Sequence, residues 1–444
     1  MKIFSTNRLA NFFRKPKPEP TWKRLWKTIG PGFITGAADD DPSGIGTYSQ
    51  TGAQFGFSQL WTSPFSLPFM TTIQEMCGRI GMVTGKGLAK NISQNYSYTI
   101  TYIAVMLLVT ANTINIGANL GAMAASAQLL AGSGSHFYQN FSFWIWTMTV
   151  TTLLLEVFVS YKVYARVLKY FAFALLAYVL TFFVVKPDLW AIFYATVLPH
   201  VSFTREYIFN FTAILGTTIS PYLFFWQANE EIEEEVVSGK LRQMGHGTPQ
   251  IEDRDIKEMR IDTFFGMFSS NIVMFFIIAT TASVLFANGI HSIDSAADAA
   301  KALEPLAGPF AGLLFAAGII GTGLLAVPVL AGSAAYALSE AFGWREGLYM
   351  KFKKAHGFYG VITLATLAGL LINFVGVNPI KALYYTAIVN GVLAPPLMVL
   401  IMLISNNKKI MGDHINGSVS NWLGWTITVI MGASALGTIY ALVG

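Results

Sequence analysis

Long apolar runs separated by short polar turns dominate the chain. Taking roughly 20 apolar residues as the length that crosses a bilayer, the pattern predicts eleven helices: residues 30–57, 59–82, 99–131, 141–161, 163–185, 207–227, 263–287, 309–338, 358–374, 379–405 and 422–443. Two of these runs are interrupted. The first is broken by Asp39, Asp40 and Asp41 and then by Pro42-Ser43-Gly44; the sixth, ILGTTISPYLFFWQANEE, is broken around Thr217 to Pro221. The breaks fall in helices one and six, at corresponding places in two five-helix halves. Matching breaks of this kind point to a site at the membrane midplane between inverted repeats, and five is an odd number, so the second half enters the membrane the opposite way. The expected organisation is a basic cytoplasmic tail, 1–28, and one transmembrane unit, 29–444. Within that unit lie repeat one (29–185), repeat two (207–405) and an eleventh helix (422–443). Direct similarity between the halves is too weak to establish the repeat independently.

Composition agrees with a membrane location. The chain is 53% hydrophobic and 12% charged, against about 25% charged in soluble proteins. Of its 29 Lys and Arg, all but Lys186, Arg205, Lys301 and Lys381 fall in the tail and alternate loops. That asymmetry places the N-terminus in the cytoplasm and the C-terminus outside, in a multi-pass protein expected in a bacterial inner membrane. The net charge of +5 is spread over short loops, which argues against nucleic-acid binding. The single cysteine, Cys77, excludes an intrachain disulfide or a Cys-rich metal site. Residues 1–28 lack the apolar core of a cleavable signal peptide. The polar loop 236–260 is too short to fold alone and is expected to be a mobile connector.

Charged residues inside spans are rare and functional, so the three aspartates are the first candidates. Consecutive positions cannot share one helix face. Asp41, directly before the proline, can aim its carboxylate and neighbouring carbonyls, including that of Ala38, at an ion; Asp40 and Asp39 are expected in a supporting or vestibule position. Across the membrane interior, Thr217, Ser220 and the carbonyls freed near Pro221 are oxygen donors, which suit hard cations. Asn390 is a further candidate ligand. Asn112, Asn115 and Asn119 share one face of the third helix; tying helices together is the preferred reading, a polar path the other. Glu75 and Glu156 are expected to pair with Arg79 and Arg166. Glu230, Glu231, Glu233, Glu234 and Glu235 read either as a solvated helix end or as a cation-focusing vestibule. All six histidines lie outside the predicted spans, which leaves no buried imidazole relay. No nucleophile, base and orienting group come together within the spans, so an enzyme is not expected.

The stretch GPGFITGAADDDPSGIGTYSQTGAQFGFSQLW resembles the first helix of the NRAMP (natural resistance-associated macrophage protein) divalent-metal transporters, whose motif is Asp-Pro-Gly-Asn. The likeness continues through Gln74 and GRIGMVTGKGL, and GTTISPY is similar to the family's sixth-helix Ala-x-x-Met-Pro-His motif. It implies an all-α membrane protein of the leucine-transporter fold: two inverted five-helix repeats plus an eleventh helix, broken helices 1 and 6, and alternating access. The family's metal-ligand Asp falls on Asp41, its Asn on Gly44, its Ala carbonyl on Thr217, its Met on Ser220 and its His on Tyr222. The third-helix acids used for proton transfer fall on Ala111 and Ile114.

These departures resemble the NRAMP-related magnesium transporters. Loss of the thioether removes the soft ligand, and loss of the Asn side chain at Gly44 is expected to enlarge the site for a hydrated ion. The resemblance therefore implies uptake of Mg2+, with Mn2+ also possible as cargo, without proton coupling. The metal-site residues carried forward are Asp41, Ala38, Gly44, Thr217, Ser220, Asp40 and Asn390. The expected partners are the divalent ion and the lipid bilayer, with no nucleic acid, no obligate protein partner and no resident cofactor. Rival readings are a proton-coupled Mn2+/Fe2+ importer, an amine or amino-acid carrier on the same fold, and a channel or non-transporting sensor.

Overall fold

The computed structural model describes residues 30–132, 134, 136–159 and 173–443. The tail 1–28 and the start of the fifth predicted helix, with Arg166, lie outside the described residues. Every predicted span carries helix. The first is Pro31–Asp39 followed by Pro42–Phe55, and the sixth is Arg205–Thr218 followed by Pro221–Val237. The others are Thr62–Thr84, Tyr98–Ala131, Phe141–Phe158, Leu176–Val185, Asp253–Val284, Ala311–Phe342, His356–Ile372, Pro379–Ser405 and Ser418–Val443. Among the described residues, seven helical stretches are long and apolar enough to cross a membrane. The protein is an integral membrane protein.

Both breaks sit where a proline opens the second half-helix. Pro has no N–H and fits the first helical position, while it forces the preceding residue out of the α region. Accordingly Asp41 is extended (φ −69°, ψ 168°) before Pro42, and Ser220 is extended (φ −83°, ψ 134°) before Pro221.

The packing repeats between the halves. The seventh helix lies along both pieces of the first, as the second lies along the sixth. The third packs on the fourth as the eighth packs on the ninth, and the third and eighth cross each other at the centre. Small residues permit these approaches. A Cβ on Gly36 would lie 2.3 Å from the Gly266 carbonyl, and one on Gly216 would lie 2.3 Å from the Gly391 nitrogen. Asp262 of the seventh helix accepts from the N–H groups of Gly30, Gly32 and Phe33 at 3.0, 2.7 and 3.2 Å. It satisfies the orphan donors at the start of the first helix.

Loops expected on one side of the membrane do meet at one end. Gly245 N donates to Gly85 O at 2.7 Å, and Arg79 donates to the His414 carbonyl and to Asn416. The opposite end carries the Lys381–Asp294 ion pair at 3.0 Å. Two expectations need correction here. The 236–260 segment is not a free connector: besides the Gly85 contact, Lys240 pairs with Asp255 at 2.7 Å, and the seventh helix already begins at Asp253. Nor is the acidic run a solvated helix end. Glu230, Glu231, Glu233 and Glu235 are buried, and only Glu234 is exposed. Glu233 accepts from Tyr336 and from the Leu348 N–H, and Glu231 accepts from Gln227 at 2.8 Å.

Candidate ion site at the paired helix breaks

Asp41 caps the helix that follows it. Its Oδ1 accepts from the Gly44 N–H at 2.8 Å and from the Ser43 hydroxyl at 2.6 Å, the side-chain cap expected of Asp before a helix. Its Oδ2 accepts from Asn119 Nδ2 of the third helix at 3.0 Å. Asp39 and Asp40 turn the other way. Asp39 ends its half-helix, and both carboxylates accept from Ser270 of the seventh helix, at 2.5 and 3.0 Å. The second oxygen of Asp39 has no hydrogen-bond partner. The three aspartates thus split between two neighbouring helices, as the helical geometry requires.

The two breaks touch. Tyr222, where the family has His, donates to the Ala38 carbonyl at 3.0 Å. Beside Gly44, an ideal Cβ would lie 3.2 Å from the Asp39 carbonyl, 3.3 Å from Thr217 Oγ1 and 3.4 Å from the Tyr48 ring. A side chain at position 44 would therefore be tight against both breaks, and this conformation shows no open space beside Gly44. Ser220 Oγ lies 2.7 Å from the Gly216 carbonyl and 2.8 Å from that of Thr217, so its proton faces backbone oxygens freed by the break. Asn390 is buried in the tenth helix with its amide nitrogen unpartnered, and no hydrogen bond joins it to Asp41 or Thr217. It lies one residue before Gly391, which abuts the sixth helix at Gly216.

Asp39, Asp40 and Asp41 are 0, 6 and 1% exposed. Among the described residues no ion pair reaches any of them. Charged carboxylates taken out of water without a counter-charge are costly, and hydroxyl and amide donors only partly offset that. Besides the Gly44 N–H and the Asn119 amide, the polar atoms around the breaks are oxygens: the hydroxyls of Ser43, Ser270, Thr217, Ser220 and Tyr222 and the carbonyls of Ala38, Asp39, Gly216 and Thr217. One thioether packs next to Pro42. Met123, a turn beyond Asn119, reaches the eighth helix at Gly323, where Pro42 also packs.

Two members of this constellation are not named by the sequence. Asn119 lies on the polar face of the third helix, where tying helices is the preferred reading, and Ser270 belongs to no motif. Tyr222 stands at the motif's His position, but nothing in the sequence names the Ala38 carbonyl as its partner. Asn112 behaves as a tie, donating to the Leu330 carbonyl at 2.9 Å. Glu75 pairs with Arg79 at 2.9 Å as expected, and also with Arg260 at 2.8 Å. Glu156 meets Thr366 of the ninth helix at 3.4 Å; its expected partner Arg166 is outside the described residues.

Two broken helices crossing at buried carboxylates, inside paired five-helix halves, define a membrane transporter of the leucine-transporter fold. Solved structures agree. A manganese transporter of Eremococcus coleocola aligns over 95% of this chain and 87% of its own, with a TM-score of 0.75 at 15% identity. The nucleobase-cation-symport-1 transporter Mhp1 aligns over 94% and 90%, with a TM-score of 0.55 at 14% identity. The chain belongs to the natural resistance-associated macrophage protein-like family, whose model matches residues 32–441. Among its relatives, the divalent metal cation transporter MntH of Caldanaerobacter subterraneus is 24% identical over 417 residues, 90% of each chain. Such relatives are named as cation transporters, not as enzymes.

Proposed function

We propose that this protein carries divalent metal cations across the membrane by alternating access, with Mg2+ as the favoured ion and no coupled proton. The carrying observation is the buried cluster of Asp39, Asp40 and Asp41 at touching helix breaks, with no basic partner among the described residues. Asp41 Oδ2 is the side-chain ligand in this reading. Thr217, Ser220 and the Ala38 carbonyl supply neutral oxygens, and Asp40 adds negative charge from the Ser270 side. Asn390 enters the site only in a conformation that brings the tenth helix nearer.

Support for Mg2+ comes from the donor chemistry. Ser220 stands where the family places a thioether, and oxygen ligands suit Mg2+, which keeps part of its water shell. Support for uncoupled uptake comes from Tyr222, Ala111 and Ile114, which occupy the family's titratable positions. With the N-terminus inside, a divalent ion entering a negative interior gains about 4.6 kcal/mol per 100 mV, enough to drive uptake without protons. Met123 favours a second reading, Mn2+ as an equal or better substrate.

Uptake into proteoliposomes, with Mg2+ and Mn2+ compared and internal pH followed, tests both. Saturable Mg2+ influx that follows the membrane potential and leaves pH unchanged is expected. Mn2+ influx accompanied by acidification, with no response to Mg2+, would sink the proposal.

A further inference from the structure

We propose that Asn119 of the third helix is an exchange ligand of the ion site: it holds the Asp41 carboxylate while the site is empty and turns its own amide oxygen to the ion when one binds. The inference rests on reading Asp41 as the ion-binding carboxylate. Three observations carry it. Both oxygens of Asp41 are engaged, but unequally. Oδ1 is committed to the helix cap through Gly44 and Ser43, whereas Oδ2 meets Asn119 alone. An ion approaching Asp41 without melting the cap must therefore approach Oδ2, where the Asn119 NH2 group now sits. The second observation is that Asn119 Oδ1, in a fully buried side chain, has no hydrogen-bond partner. Buried acceptors are rarely left so. The third is that Asn115, one turn away on the same face, has both amide atoms buried and unpartnered. This face of the helix is provisioned with polar atoms beyond what helix packing uses.

The chemistry of the exchange follows from the amide. Its N–H protons bear partial positive charge and repel a cation, so the present contact cannot persist once the ion arrives. Rotation about the last side-chain torsion, which is broad and roughly two-fold for Asn, swaps nitrogen and oxygen within the same volume. The group that blocked the ion becomes a neutral oxygen donor to it. The amide itself needs no extra space to turn, and no charge is added that would slow release.

Calorimetric Mg2+ binding to the purified full-length protein, with thermal unfolding in its absence, tests the inference on Asn119→Ala, Asn119→Asp and Asp41→Ala. A ligand role predicts that Asn119→Ala weakens Mg2+ binding at least about tenfold, the lower end for loss of a group around a metal. It also predicts that Asn119→Asp tightens binding while lowering the ion-free melting temperature, because two carboxylates then face each other. A mere helix tie predicts the reverse for Asn119→Ala: Asp41 is released, and affinity is unchanged or higher. That result overturns the proposal. If Asn119→Ala does not fold, Asn119→Asp decides, and unchanged affinity there overturns it equally. Intact binding in Asp41→Ala would instead remove the reading of Asp41. Loss of binding in Asp41→Ala beside normal binding in Asn119→Ala would remove only the exchange.

Discussion

Replacing Asp41 by Asn separates its two tasks. The cap is retained, since Asn and Asp are comparable at the first position before a helix. The new amide can keep its oxygen toward Gly44 N and Ser43 Oγ. Its nitrogen then faces Asn119, whose unpartnered Oδ1 can turn to accept from it. Ion-free stability should thus not fall, and should rise because an uncompensated buried charge is removed while the cap is kept. Affinity should not be spared. Unit charges 4 Å apart at an effective dielectric near 20 attract by about 4 kcal/mol, and each 1.4 kcal/mol is about tenfold in affinity. A divalent ion touching the carboxylate should therefore lose binding by at least about a hundredfold, and on the order of a thousandfold is the central expectation. Calorimetry with Mg2+ and Mn2+, paired with ion-free thermal unfolding in detergent, reads both quantities. A folded Asp41→Asn protein whose affinity changes less than about tenfold would refute the assignment of charge to the site.

Three further outcomes are expected. Ser220→Met restores a thioether at the sixth break and should shift competition in uptake assays from Mg2+ toward Mn2+ and softer ions such as Cd2+; unchanged selectivity would mean that this position does not face the ion. Gly36→Ala drives a Cβ against the Gly266 backbone and should destabilise by about 1–3 kcal/mol, seen as a lower melting temperature, whereas Gly432→Ala, with open space around it, should be neutral or slightly stabilising. Burial, reinforced by nearby Glu340, holds the carboxyl of Glu346 well above the usual range. An acid whose folded pKa is raised is ionised first in the unfolded chain, so stability falls as pH climbs from the ordinary carboxylate value to the raised one. Glu346→Gln should flatten that decline in a melting-temperature profile across pH 4–8.

Much of the architecture was legible because the bilayer imposes one strong rule. Apolar length reports the membrane-crossing part of each helix, and the two proline breaks stand out against it. The same rule misplaces helix ends. The seventh helix starts at Asp253, ten residues before its apolar run, because its first turns are polar and lie against the 240s loop. The expected breaks at Pro42 and Pro221 are where the helices are interrupted, with Asp41 and Ser220 extended before the prolines. The partners of the aspartates were not legible. Asn119 lies 78 residues from Asp41, and Ser270 lies 231 from Asp39; which helix faces which is fixed by packing, not by spacing. Gly44 shows a related limit: a missing side chain reads as space, but the Asp39 carbonyl, Thr217 Oγ1 and the Tyr48 ring stand 3.2, 3.3 and 3.4 Å from where its Cβ would lie. For the glutamate run the sequence leaves two readings open, and the solvated one fails because the loop around Leu348 folds over the helix end.

The Asp262 clamp has a mechanical consequence. Three N–H groups of the first half-helix share one carboxylate on the seventh helix, and Gly32 and Gly36 bring the two backbones into direct contact just beyond it. Tilting the half-helix alone would break all three bonds in a single step. Tilting the two together breaks none. The seventh helix and the first half-helix therefore move as one unit, and the exposed Phe264, Phe265 and Phe268 on the outer side of that helix move with them.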